Sequence, residues 1–285
     1  MRRLKPYLYL APAVIWILLI FIYPVGKVIF SSFQIKQSTS ELAFSLKNFN
    51  FLFKDEIFWY ALKNNFIFLL TIPVLLFISI LLSIILFERV KGWKISQSVL
   101  LIPFVLAIPI AGVVFNYLLQ YHGAINEILR SVKLNALAKD WLVEENLAIP
   151  SIMAVMIWRE FGFGTVLFLA RLSNLDEEIL EAAMIDGAGW WQRLFRIIIP
   201  QMKTIVEFYI IILALTIFGW LFDYIYVMTG RGGLGFKFTT MDFYIYAYMF
   251  IFKHFGVAYA ASSVLLLISV ILIIFRWRIT KNMKD

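Results

Sequence analysis

The chain has 285 residues, of which 62% are hydrophobic and only 15% charged, with a mean hydropathy of +0.86. A water-soluble domain carries about a quarter charged residues, so this composition describes an integral membrane protein without room for a large soluble appendage. Cysteine is absent, which excludes disulfides, thiol catalysis and cysteine metal sites. The net charge of +8 fits basic residues at span ends and does not imply a nucleic-acid partner.

Arg2, Arg3 and Lys5 precede an apolar run from Tyr7 to Phe33. That run is too long for a signal-peptide core and lacks a small-residue cleavage site, so it is expected to be an uncleaved first span, with Pro24 and Gly26 marking a kink or its end. Residues 34–60 read as a polar loop. The second span is expected at Asn65–Phe87 and the third at Ile95–Leu119. Pro103 and Pro109 free backbone carbonyls in the third, which neighbours or water must satisfy, so this span should face other helices rather than lipid. A second loop, 120–146, leads to a fourth span at Leu147–Leu172, and a fifth follows at Thr204–Val227. Residues 229–255 are irregular; Thr239–Phe252 is apolar but short, as in a re-entrant or interfacial segment. Gly256–Phe275 is the sixth span.

Lys and Arg set the expected orientation. With the N-terminus inside, residues 1–6, 88–94, 171–203 and 276–285 face the cytoplasm and hold 14 basic residues, against 10 in the longer outer pieces. The expectation is an all-α polytopic protein, one domain over 1–285, in the cell membrane with both termini cytoplasmic.

The loop between spans four and five, 173–203, contains the most polar helical stretch. Ser173 and Asp176 are spaced as in a capping box, and Asp176, Glu177 and Glu178 sit where a helix dipole favours negative charge. Leu175, Ile179 and Ala182 share one face, and Gly187 and Gly189 would close the helix as C-caps. A short, self-capped cytoplasmic helix of about three turns is expected over 175–189.

Glu181, Ala182, Ala183, Gly187, Ile197, Ile199 and Pro200 follow the spacing E-A-A, three residues, G, nine residues, I, one residue, a branched aliphatic, P. This resembles the signature loop of the permease subunits of binding-protein-dependent ABC importers, with Ile199 where Leu is more frequent. The stretches Leu46–Phe49 and Phe58–Asn64 resemble the sugar-type permeases of that family. So do Phe222-Asp223 through Gly230, Thr239–Tyr248 and Gly256–Ala260, which are similar to the maltose and glycerol-3-phosphate type; a Gly-Gly-Pro run is missing, and Val257 stands where Tyr is common.

The resemblance implies that Glu181, Ala182, Ala183, Asp186, Gly187 and Gly189 form a coupling helix seated in a cleft of a cytoplasmic ATPase, with 192–200 as the elbow to span five. It also implies a second permease subunit, an ATPase dimer, an extracytoplasmic substrate-binding protein and surrounding lipid as partners. ATP and Mg would be bound by the ATPase and no cofactor by this chain, which is not expected to be an enzyme. Gly230–Gly235 spells G-x-G-x-x-G, but it follows a span on the outer face and has no strand before it, and Phe236 stands where a P-loop needs Lys; a nucleotide site is rejected here.

Ionisable residues inside spans point to function, because each costs at least about 2.5–3.5 kcal/mol to insert. Lys27 reaches the interface and snorkels. Arg159 and Glu160 lie about 18–20 Å deep in span four at 1.5 Å per residue, and being adjacent they diverge by ~100° and should not pair. Asp223 lies near the outer end of span five, with Gly219, Trp220, Asp223 and Tyr226 on roughly one helical face. Such a ring beside a carboxylate suits a sugar, although Asp223 serves equally well as a structural anchor for the following loop. Arg159 is expected to line the translocation path.

The function expected is import of a carbohydrate or polyol by alternating access. An ion-driven secondary transporter explains the spans equally but has no use for the loop helix. A membrane-embedded enzyme lacks a nucleophile–base set or paired carboxylates at matching depth.

Overall fold

The computed structural model describes residues 5–36, 42–88, 92–175, 177–230 and 236–281. Asp176 and all of the Gly230–Gly235 run except Gly230 lie outside them. Five helices are long and apolar enough to cross a membrane, over Tyr9–Ser32, Glu56–Phe87, Glu145–Leu172, Trp190–Gly219 and Phe255–Ile274. Two further helices, Trp93–Val105 and Ile108–Leu118, bent by 90° at the break between them, are long and apolar enough together to make a sixth if the pair is one span. Helices are the expected solution, since an isolated segment in lipid must satisfy every backbone group internally.

The expected spans correspond to these helices with three revisions. The second starts at Glu56 instead of Asn65. The third is broken. The fifth starts at Trp190 instead of Thr204 and ends at Gly219, short of Val227. One departure from an all-helical chain is a small hairpin, β1 (Gln34–Lys36) and β2 (Leu42–Phe44), paired antiparallel with Gln34 opposite Phe44.

The chain divides into two compact units, Met1–Ala61 with Met241–Asp285, and Leu62–Thr240. In the first, α1 (Lys5–Ile17), a π-turn (Leu18–Ile22) and α2 (Tyr23–Ser32) follow one another as a continuous helix. The expected kink at Pro24 is replaced by that π-turn, in which the Tyr23 amide donates to the Leu18 carbonyl; Pro24 then falls in the first turn of α2, where a missing N–H is tolerated.

The last long helix, α15 (Phe255–Lys281), packs on α2, on α3 (Lys47–Lys54) and on α14 (Met241–Tyr246). Its buried Ala258, Ala260 and Ala261 allow the close approach that membrane helices use in place of a hydrophobic drive. Gly256 is needed for the same reason: a Cβ there would stand 2.6 Å from Asn48 Oδ1. Asn48 in turn donates to the Ser32 and Gln34 carbonyls at 2.8 and 3.0 Å, closing the end of α2.

In the second unit, α5 (Thr71–Phe87) and α9 (Glu145–Leu172) form the spine, with Leu75, Ile152, Met156 and Phe168 fully buried. α12 (Ile199–Gly219) and α6 (Trp93–Val105) pack on α9, while α7 (Ile108–Leu118) packs on α13 (Phe222–Thr229). Gly164 sets the spacing at the centre, since a Cβ would lie 2.5 Å from Ser79 Oγ and 2.6 Å from the Tyr209 hydroxyl. Ser79 donates to the Phe161 carbonyl and Tyr209 to the Glu160 carbonyl, both at 3.1 Å.

The 120–146 loop is organised around buried Asn126 in α8 (Ala124–Ser131). Its amide donates to the Lys139 carbonyl at 2.7 Å and its oxygen accepts from Trp141 Nε1 at 2.9 Å.

Candidate functional site

The loop helix forms over Glu177–Ile185 as α10, nine residues within the 175–189 range expected. Its C-terminal end is a Schellman closure. Gly187 adopts φ +78°, its amide donates to the Met184 carbonyl at 3.0 Å, and the Ala188 amide donates to the Ala183 carbonyl at 2.9 Å. Gly189 belongs instead to the next element. It precedes α11 (Trp190–Arg193), and its amide donates to Gln192 Oε1 at 2.9 Å.

The capping position before α10, Asp176, lies outside the described residues, and Ser173 belongs to the preceding helix. It ends α9 and its hydroxyl donates back to the Leu169 carbonyl at 3.0 Å. Leu175 is buried, but Ile179 and Ala182 are exposed, so these two positions of the expected apolar face are not covered by the described residues. Met184 and Ile185 are exposed too, Ile185 to 86%. Glu181, Asp186 and Gly187 stand in the open, and Ala183 is half-buried.

The expected elbow at 192–200 is helical throughout. A π-turn at Leu194–Ile198 sends the Ile199 amide to the Leu194 carbonyl and places Pro200 in the first turn of α12. Trp190 joins this end to α5: its Nε1 donates to Glu88 Oε1 at 2.6 Å. Arg171, at the end of α9, holds the Gln201 carbonyl of α12 through Nε and Nη2 at 3.3 and 3.1 Å.

Arg159 lies in the middle of α9 with 13% of its side chain exposed. Contrary to the expectation from helical divergence, it does pair with Glu160, a buried carboxylate on the same helix. Both side chains are long enough to fold toward a common point. The reason for that point is the break in span three. There Leu106 and Ala107 are extended, so carbonyls lose their helical partners, and Arg159 Nε donates to Leu106 O at 3.0 Å and Nη2 to Phe104 O at 3.1 Å. The guanidinium also lies 5.2 Å from the centre of the Phe104 ring. The buried Tyr224 hydroxyl of α13 lies close to Arg159 and Glu160 without a hydrogen bond of normal geometry. Carbonyls freed at the break are thus satisfied by a neighbouring helix, with a charged side chain supplying the donors. α6 and α7 nevertheless leave Ile102, Val105, Ile110 and Val113 exposed.

Gly219, Trp220, Asp223 and Tyr226 do not share one helical face. α12 ends at Gly219, Trp220 leaves helical geometry at φ −136° and ψ 11°, and Asp223 and Tyr226 belong to α13. Asn65 makes the break possible by donating to the Ile217 carbonyl at 2.6 Å. Trp220 is 66% exposed, Gly219 is exposed, and Asp223 and Tyr226 are half-buried, with Tyr226 stacked on Phe222 at 5.3 Å. Asp223 occupies the first turn of α13, a favourable place for a carboxylate.

Other polar anchors escaped the sequence reading. Asn64 donates to the Lys237 and Thr239 carbonyls at 2.9 and 2.8 Å, and Asn116 to Met228 O at 2.8 Å. Asp55 accepts from the Tyr244 and Tyr248 hydroxyls at 2.7 and 2.5 Å and caps α4 (Glu56–Phe68) through the Ile57 amide at 3.0 Å. Burial first, and then the Asp55 carboxylate, pushes the Tyr248 hydroxyl up to about 12 and Tyr244 higher still. The Tyr-x-x-x-Tyr spacing was a signal for one face of a helix, but nothing in the sequence tied it to Asp55.

The fold is that of a multi-pass membrane protein. The chain belongs to the family of binding-protein-dependent transport system inner membrane components, whose profile matches residues 52–285. It is 29% identical to the probable ABC transporter permease protein YurN of Bacillus subtilis over all of this chain and 98% of that one. It is 32% identical to SmoG, a sulfoquinovosyl glycerol transport system permease of Agrobacterium fabrum, over 94% of this chain and 87% of that one. Its fold matches a chain in the crystal structure of a bacterial ABC transporter involved in the import of the acidic polysaccharide alginate, with a TM-score of 0.85, 23% identity, and coverage of 100% and 97%.

Proposed function

We propose that this chain is one of two permease subunits of an ATP-driven importer for a carbohydrate or polyol. In this reading both termini and α10 face the cytoplasm. Two ATPase subunits bind ATP and Mg, and an extracytoplasmic binding protein delivers the substrate. α10 seats in the ATPase, with Glu181 meeting a basic group there and Ala182, Ala183, Asp186, Gly187 and Gly189 shaping the contact. ATPase closure displaces α10, and α9 and α12 carry the displacement into the membrane.

One observation carries this reading: α10 closes its own end through Gly187 yet leaves Ile179, Ala182, Met184 and Ile185 exposed. A helix closed at its C-terminal end and bearing an uncovered apolar face is suited to a groove in another protein.

The carbohydrate class is supported by the relation to SmoG and by the exposed Trp220 near Asp223 at the break after α12. Gly219, Trp220, Asp223 and Tyr226 are the proposed path residues on that side. Arg159, also foreseen on the path, has three of its donors engaged by protein groups.

The test is reconstitution in proteoliposomes with a candidate ATPase, second permease and binding protein. Sugar uptake that requires ATP and survives dissipation of ion gradients is expected. Uptake driven by an ion gradient without ATP would instead make the chain a secondary transporter.

A further inference from the structure

The two halves of the broken span rest on different helices. α6 is held on α9, because Gly162 admits the Leu100 carbonyl to where a Cβ would stand 2.0 Å away, and Phe104 stacks on Phe163 at 4.8 Å. α7 is held on α13, with Gly112 against Val227 at 3.1 Å for an added Cβ and Asn116 bonded to Met228 O. Only the extended pair Leu106 and Ala107 joins these halves, and one side chain of α9 takes both the Leu106 carbonyl at the joint and the Phe104 carbonyl in the last turn of α6.

We propose that Arg159 is a positioning residue: the clasp that fixes the bend of span three on α9, so that α9, α6 and the α7–α13 pair move as one body. The inference rests on the permease reading and adds to it a route from α10, which follows α9 in the chain, to the segment bearing Asp223. Arginine suits the task because a planar fork can reach two carbonyls and a carboxylate at once, where the single ammonium of lysine is a point charge. Glu160 neutralises the charge where water is scarce, and the low exposure of Arg159 argues against direct contact with a passing sugar.

The test uses the complete importer in proteoliposomes, with spin labels on cysteines introduced at the exposed Ile102 and Val113 of this cysteine-free chain. The wild-type chain should give one narrow distance, the same in nucleotide-free and vanadate-trapped complexes. Arg159→Gln should broaden it and lower uptake per ATP hydrolysed by about tenfold, with apparent KM changed less than about twofold; Arg159→Lys should recover part of the loss. A wild-type distance that changes between the two states overturns the proposal even if the glutamine variant fails to assemble. So does wild-type coupling in Arg159→Gln, or a rise in KM at unchanged maximal rate, which would mark a substrate ligand. A wild-type complex without ATP-dependent uptake would instead remove the permease reading itself.

Discussion

Trp190 donates its indole N–H to the Glu88 carboxylate at 2.6 Å, tying the start of α11 to the end of α5 across 102 residues of sequence. The contact fixes where the chain re-enters the membrane after α10. Trp190→Phe keeps the edge contact with Trp191 but removes the donor. A hydrogen bond to a charged acceptor, discounted for exposure, contributes about 1 kcal/mol, so uptake by the assembled importer should fall about fivefold. Unchanged uptake would make the contact incidental.

Gly187 sits at φ +78° with open space around the Cβ position, so a substitution there meets backbone strain and no clash. Gly187→Ala should cost about 1–2 kcal/mol and loosen the end of α10, whereas Gly187→Asn should cost less. Recovery of the ATPase in pull-downs should follow the order glycine, asparagine, alanine. Equal recovery for all three would show that the closure is irrelevant to assembly.

Gly162 and Gly219 form a contrast. A Cβ at Gly162 would meet the Leu100 carbonyl at 2.0 Å, while at Gly219 it meets nothing within 4 Å. Gly162→Ala should destabilise by about 3 kcal/mol or more, because backbone must move, and Gly219→Ala by less than about 1 kcal/mol. Thermal unfolding of the purified complex distinguishes them, and a tolerated Gly162→Ala would contradict the close approach of α6 to α9.

The Asp55 cluster gives a pH prediction. Tyr248 is raised from 10.0 to about 12, so the stability that its protonated hydroxyl contributes is complete below pH 10 and is lost as pH rises toward 12. The difference in Tm between the wild type and Tyr248→Phe should stay constant from neutral pH to about 10 and shrink above it. A difference that already shrinks between pH 7 and 9 would rule out this assignment.

Features written within a few residues were legible in the sequence. The long apolar runs gave the crossings, and Gly187 announced its own left-handed cap because cap chemistry is local. The break after Gly219 was not legible, since no proline marks it and the residue that permits it, Asn65, lies 152 positions away. The Arg159–Glu160 pair was misjudged because adjacency on a helix was weighed without the carbonyls of span three, which draw the guanidinium from 53 and 55 residues off. Asp55 and its two tyrosines were missed for the same reason, their partners being 189 and 193 positions apart.

The claim on which the rest depends is that α10 is the handle by which a separate ATPase drives these spans. Glu181 is exposed on that helix, so reversing its charge should leave the packing of this chain intact. The most direct measurement is substrate-stimulated ATP hydrolysis and uptake by the importer carrying Glu181→Lys. The account predicts poor recovery of the ATPase, or, in complexes that do assemble, uptake reduced by about tenfold or more relative to hydrolysis. Full assembly with wild-type stimulated hydrolysis and uptake would contradict it.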